Sequence, residues 1–188
     1  MKTKVTSTQF LERAVSALAL LVALTLGTVG CSGGAEGATG DPAANAKAAS
    51  TALDAGLKAH AAGDIETATA DYNTVLKHEP NNKFAFYNLA LIDAANGNYG
   101  LAEEKYRSAL TTDPAYEPAL FNLAILRSTR NPKEAISLYQ RAVKANPKDA
   151  AALLNLGLLL RTHGQKAQGD KDVLKAIAMN PKLKDPSK

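Results

Sequence analysis

Tryptophan is absent from the 188 residues, cysteine occurs once, and aromatic residues make up only 5% of the chain. A single cysteine, Cys31, excludes an intramolecular disulfide framework. The three histidines, His60, His78 and His163, lie far apart and without partners at metal-ligand spacing, so no metal site is expected. Glycines outside the turns are not followed by Lys-Ser or Lys-Thr, which excludes a phosphate-cradling loop. The adjacent pair Glu103-Glu104 does not form a two-carboxylate site, because neighbouring helical side chains diverge by about 100°. No block of Lys and Arg interleaved with aromatics is present, and half of the formal charge of +4 sits on Lys2, Lys4 and Arg13 against Glu12. The rest of the chain is close to neutral, so its basic character gives no reason to expect a nucleic-acid partner. No catalytic residues and no cofactor are therefore expected, and an enzyme is the reading with least support.

What is present is alanine and leucine, within a hydrophobic share of 46%. Both lose little side-chain freedom in helices, so the composition predicts an all-α chain with enough apolar mass for a core.

The amino terminus is read as an address. A positively biased start is followed by the uncharged run AVSALALLVALTL over residues 14–26. That length is short for a membrane span, which takes about 20 residues, and suits the core of a signal peptide. The segment Gly27-Thr28-Val29-Gly30-Cys31 resembles the lipobox of bacterial lipoproteins, although Thr28 stands where that family usually has Leu. The resemblance implies a signal peptide over 1–30 and a lipid on Cys31, followed by a flexible Gly/Ser/Ala tether over 31–40. An uncleaved anchor and ordinary secretory cleavage remain the alternatives. Two acyl chains would hold the protein on a membrane almost permanently, at about 0.8 kcal/mol per buried CH₂. The expected location is the bacterial cell envelope, on the outer face of the plasma membrane or in the periplasm or outer membrane.

The remainder is periodic. Pro80, Pro114, Pro147 and Pro181 are separated by 34, 33 and 34 residues, and each follows a polar residue at the end of an amphipathic run. Proline there ends a helix, because the preceding residue is pushed out of the helical region. Tyr87-Asn88-Leu89-Ala90 aligns with Phe121-Asn122-Leu123-Ala124 and with Leu154-Asn155-Leu156-Gly157. Tyr72, Tyr106 and Tyr139 recur with a small or β-branched residue three positions on. Small residues at Ala90, Ala124 and Gly157, and at Ala68, Ala102 and Ala135, predict close approach of paired helices. Gly63, Gly97 and Gly164 are placed to turn the chain after a first helix.

These positions together resemble the tetratricopeptide repeat, a helix-turn-helix unit of about 34 residues that is stable only when stacked. The resemblance implies an α-solenoid domain over 41–182, with units about 49–82, 83–116, 117–149 and 150–183 and a polar tail over 183–188. Asp41-Pro42 predicts a helix start, with a long first helix over 43–62. The third unit is one residue short and lacks the turn glycine, so Asn131 and Pro132 are expected to cap and start its second helix. Gly169 replaces the alanine of the earlier units at an expected cost of about 1 kcal/mol, consistent with a terminal, polar-faced unit. Asp93 and Arg127 occupy equivalent positions in neighbouring units and are placed to pair across the interface.

In this family the first helices line a concave groove for peptides. Carried over residue by residue, the groove comprises Tyr87, Leu91, Phe121, Ile125, Leu154 and Leu158, with Leu53, Leu57 and Asp54 in the first unit. Between them runs the row Asn88, Asn122 and Asn155, each able to donate and accept toward a peptide backbone. The lysines of the carboxylate clamp of chaperone-binding members have no counterpart. The resemblance thus implies a protein or peptide partner and a scaffold at the envelope. Two alternatives stand beside it: a subunit that helps assemble a secretion or pilus complex, and a carrier for an envelope glycan.

Overall fold

The structure, a computed structural model, describes residues 41–186; Cys31 and the segment read as a lipoprotein signal lie outside them. The described residues form eight helices: α1 (Pro42–Ala61), α2 (Ile65–His78), α3 (Lys83–Ala95), α4 (Tyr99–Thr112), α5 (Glu117–Arg127), α6 (Pro132–Ala145), α7 (Ala150–Thr162) and α8 (Lys166–Met179). The architecture is the expected all-α solenoid of hairpins: α1 packs on α2, α3 on α4, α5 on α6 and α7 on α8, and each hairpin meets the next through consecutive helices.

Local chemistry sets the boundaries. Asp41 caps α1 through its carboxylate on the Ala43 amide, 3.0 Å away, with Pro42 in the first turn. Asn82 and Asp149 cap α3 and α7 by accepting from two amides each. Such a cap typically contributes about 1 kcal/mol. Gly63, Gly97 and Gly164 adopt φ of 80°, 78° and 84°, a left-handed conformation that a side chain would strain. The third hairpin turns without a glycine, as expected: Asn131 accepts from the Glu134 amide and Pro132 opens α6. The Asn131 backbone N–H meanwhile donates to Arg127 O at 2.7 Å.

The recurring small residues do what their period predicts. Ala68, Ala90, Ala102, Ala124 and Ala135 are fully buried, and Tyr72 and Tyr106 fill the space beside them. Gly169 is different from its expectation. A Cβ built there would press on the Gly157 carbonyl and on the Arg161 backbone nitrogen, so glycine is what lets α7 and α8 touch. Its low helix propensity is the counterpart of that contact.

The pairing expected between Asp93 and Arg127 does not form. Asp93 is held by Lys105 of its own hairpin at 2.5 Å. Arg127 instead bonds Glu103 of α4 and Glu134 of α6, at 2.9 and 2.8 Å. Arg107 closes the ring on the same two carboxylates, at 2.8 and 2.6 Å. Two guanidiniums and two carboxylates therefore bind the second hairpin to the third beside the shortened turn.

Candidate functional site: the first-helix face

Side chains of α1, α3, α5 and α7 that recur at one register build the candidate face. Leu57, Leu91, Ile125 and Leu158 occupy the same place in successive units. Leu57 is 39% exposed, and Leu91, Ile125 and Leu158 are only partly buried. Phe121 is likewise half-buried and meets Tyr139 edge-on, with centroids 5.9 Å apart.

Other members of the predicted set have turned inward. Tyr87 is buried, in contact with Tyr106 and Tyr116 at centroid distances of 5.9 and 5.5 Å. Burial raises its phenol pKa far above the ordinary value, with the neighbouring Tyr116 and Glu117 adding to the shift. Leu154 is also buried, in a cluster with Leu153, Val173 and Ala176.

Two members of the asparagine row share one local geometry. The Asn88 amide donates to Phe84 O at 2.8 Å and the Asn122 amide to Pro118 O at 2.9 Å, each one helical turn back. Asn122 also donates to the Tyr87 hydroxyl at 3.3 Å, joining α5 to α3. Asn155 lies by the Tyr139 hydroxyl, whose pKa burial pushes up to about 12, against the lowering effect of Ser128 and Asn155. Asn88 is only 8% exposed. The row is thus engaged within the solenoid, whatever else it contacts.

Two features of this face were not anticipated. Phe84, 43% exposed, stands one turn before Asn88, and Tyr116 meets it edge-on with centroids 5.8 Å apart. The Lys83 ammonium lies 5.1 Å from both ring centroids and 2.6 Å from the Asp113 carboxylate. Glu117 lies against Asp149, the cap of α7. Burial, and then the hydrogen bond and charge of Asp149, push the Glu117 carboxyl up to about 8. Phe84 was legible as the residue one turn from the asparagine on the same face. The Glu117–Asp149 pair was not, because the two lie 32 positions apart and meet only through stacking.

The histidines are engaged in the packing. His60 meets Tyr72 edge-on, His78 pairs with Asn45 at 3.1 Å, and His163 contacts Leu159 O at 2.8 Å. Among the described residues no group of three His, Cys, Asp or Glu is placed to hold a metal, and no helix is long and apolar enough to cross a membrane.

A sequence profile described as the tetratricopeptide repeat matches residues 53–117 and 125–180, more than half of the chain. The chain belongs to the tetratricopeptide repeat family. Relatives that share this repeat include the Photosystem I assembly protein Ycf3 of Cyanophora paradoxa, 35% identical over 124 residues, which cover 60% of this chain and 71% of that protein. Cellulose synthase 1 operon protein C of Komagataeibacter xylinus is 25% identical over 122 residues, 63% of this chain but only 9% of that much longer protein. Among solved structures, the tetratricopeptide array is similar to the MamA protein, with a TM-score of 0.63 at 26% identity over 72% of this chain and 75% of that one. Family membership brings a protein-interaction role in general terms; it does not select a partner.

Proposed function

We propose that this tetratricopeptide array is a non-catalytic scaffold, held at a bacterial cell envelope through a lipid on Cys31, that grips an extended segment of a partner protein along its first-helix face. The observation that carries the reading is the register of Leu57, Leu91, Ile125 and Leu158. Singly exposed apolar side chains are ordinary, whereas four left accessible at one repeated position make a continuous apolar track. Phe84 and Phe121 widen the track, and the partly exposed Asn122 and Asn155 border it with amide groups for a peptide backbone, whereas Asn88 is buried. The apolar residues would select side chains.

The test is a pull-down from detergent-solubilised envelope with the full chain and with a Leu91→Gln/Ile125→Gln variant. These side chains are only partly buried, so helicity should survive. A protein retained by the parent and lost by the variant supports the reading. Capture of the same protein by both would move the interface elsewhere, and capture by neither would favour the glycan alternative. The anchor is tested separately: Cys31→Ser should release the protein from the membrane fraction, and persistence there would argue against lipidation.

A second reading has one observation in its favour. The Ycf3 relative is by name an assembly protein, which fits a subunit that helps build an envelope complex. Such a subunit should be unstable or self-associated when purified alone.

A further inference from the structure

The solenoid does not end at α8. In every unit the chain leaves the second helix by the same turn, in which Asn82 N bonds Glu79 O, Tyr116 N bonds Asp113 O, Asp149 N bonds Asn146 O and Leu183 N bonds Asn180 O, all at 3.0–3.1 Å. After the first three turns a helix of the next unit begins. After the fourth, residues 183–185 continue without helix. Leu183 therefore stands at the register of Tyr116, and Leu154 at that of Tyr87. Where Tyr116 packs on Tyr87, Leu183 packs into the cluster that holds Leu154, Leu158 and Val173. Two residues further, Arg161 of α7 donates from Nη1 to both carboxylate oxygens of Asp185 at 2.9 Å, while its Nε bonds Asp170 at 2.6 Å. The Asp185 side chain is only 5% exposed. The start of the segment read from sequence as a polar tail thus lies against the last hairpin, at the register where the earlier units begin their next helix.

Leu183 and Asp185, two positions apart, both reach the last hairpin. An apolar residue and a carboxylate at that spacing match the two fixed features of the surface, the Leu154–Leu158 patch and the Arg161 guanidinium. The strap has no helical ladder of its own, and segments without one are those that open locally at smaller cost than a packed helix.

We infer that the α7–α8 end of the array is a docking site for an extended protein segment carrying an apolar residue and, two positions on, an aspartate or glutamate, and that Leu183 and Asp185 are its internal occupants, displaced when the partner binds. This inference rests on the reading of the chain as a protein-binding scaffold and adds the chemistry of one partner segment. It differs from capture of a terminal carboxylate by groove lysines, because the anion is a side chain and it is met by an arginine.

The probe is a fluorescent peptide with blocked ends and alanine flanks around Leu-Lys-Asp, titrated into the full chain and into a Leu183→Ala/Asp185→Asn variant. In the parent the site is filled, so only the fraction with an open strap can bind. The vacated variant should bind at least about tenfold more tightly, a difference of about 1.4 kcal/mol. The gain should disappear when the peptide aspartate becomes asparagine, or when Arg161→Gln is added to the vacated chain. A variant of parental helicity that binds no better, or that binds the asparagine peptide equally, would reduce the strap to a cap and overturn the inference. If the double variant loses helicity, Asp185→Asn alone decides by the same comparison. The envelope pull-down reads Leu91 and Ile125 instead, so either proposal can fail while the other stands.

Discussion

Gly157 of α7 and Gly169 of α8 face each other so closely that a Cβ on Gly157 would come within 2.8 Å of the Gly169 carbonyl oxygen. At the equivalent positions the earlier hairpins carry Gly56 and Ala68, Ala90 and Ala102, and Ala124 and Ala135, all buried; a Cβ on Gly56 would meet the Tyr72 ring instead. Only the last hairpin has glycine on both sides.

A Gly169→Ala substitution separates two effects of opposite sign. Helix propensity alone favours alanine by about 1 kcal/mol. The new methyl would meet backbone atoms of Gly157 and Arg161, which cannot swing aside as a side chain can. Overpacking of this kind typically costs about 1–3 kcal/mol. The expected outcome is a net loss and a Tm lowered by roughly 5 °C, read by thermal circular dichroism; a raised Tm would show that the hairpin has room to relax.

The ion ring offers a contrast between two arginines that share the same carboxylates. The Arg127 side chain is 21% exposed and that of Arg107 47%. Arg127→Ala leaves Glu103 and Glu134 half-buried with one cation fewer, at an expected cost of about 1–2 kcal/mol. Arg107→Ala is expected to cost no more than about 1 kcal/mol, as for an exposed pair. Urea titrations should rank them in that order, and molar salt should reduce the Arg107 effect more. Equal losses would mean that the ring does not staple the second hairpin to the third.

Glu117 gives stability a dependence on pH. Its folded carboxyl is pushed from an ordinary 4.5 up to about 8, by burial first and then by Asp149. Between those values the folded chain binds more protons than the unfolded chain, so this residue's contribution falls as pH rises. The contribution is intact below about pH 4.5 and is lost progressively as pH approaches and passes 8. Glu117→Gln keeps a neutral side chain in place and should flatten the decline of Tm between pH 5 and 9. A decline of unchanged slope in the variant would assign the dependence to other groups.

Asn122 separates packing from recognition. Its amide joins α5 to the Tyr87 hydroxyl and to its own preceding turn. Asn122→Ala should lower stability by about 1 kcal/mol in chemical denaturation. A partner affinity that falls while this loss stays near zero would mark the asparagine as a ligand contact instead.

The period of the prolines, the caps at Asp41 and Asn131, and the turn glycines were all legible from the chain alone. Each acts within a few residues of itself, through backbone conformation or a hydrogen bond to the next turn. That Leu57, Leu91, Ile125 and Leu158 all escape full burial follows from the same repeat, because one register faces one way in every unit. The inward turn of Tyr87 and Leu154 was not legible. It depends on which side chain the following unit places against them: Tyr116 in one case and Leu183 in the other.

By itself, then, the sequence determined the helices, their order and the repeated pairing of small with bulky residues, because these follow from periodicity and local bonding. Only the tertiary structure decided that Arg127 bonds Glu103 and Glu134 and leaves Asp93 to Lys105. It alone brought Glu117 to Asp149, Gly157 to Gly169, and Asp185 to Arg161. A charge or a methyl group meets whatever the neighbouring helix presents within a few ångströms, and that is set by the distance and rotation between packed helices, which no single repeat encodes.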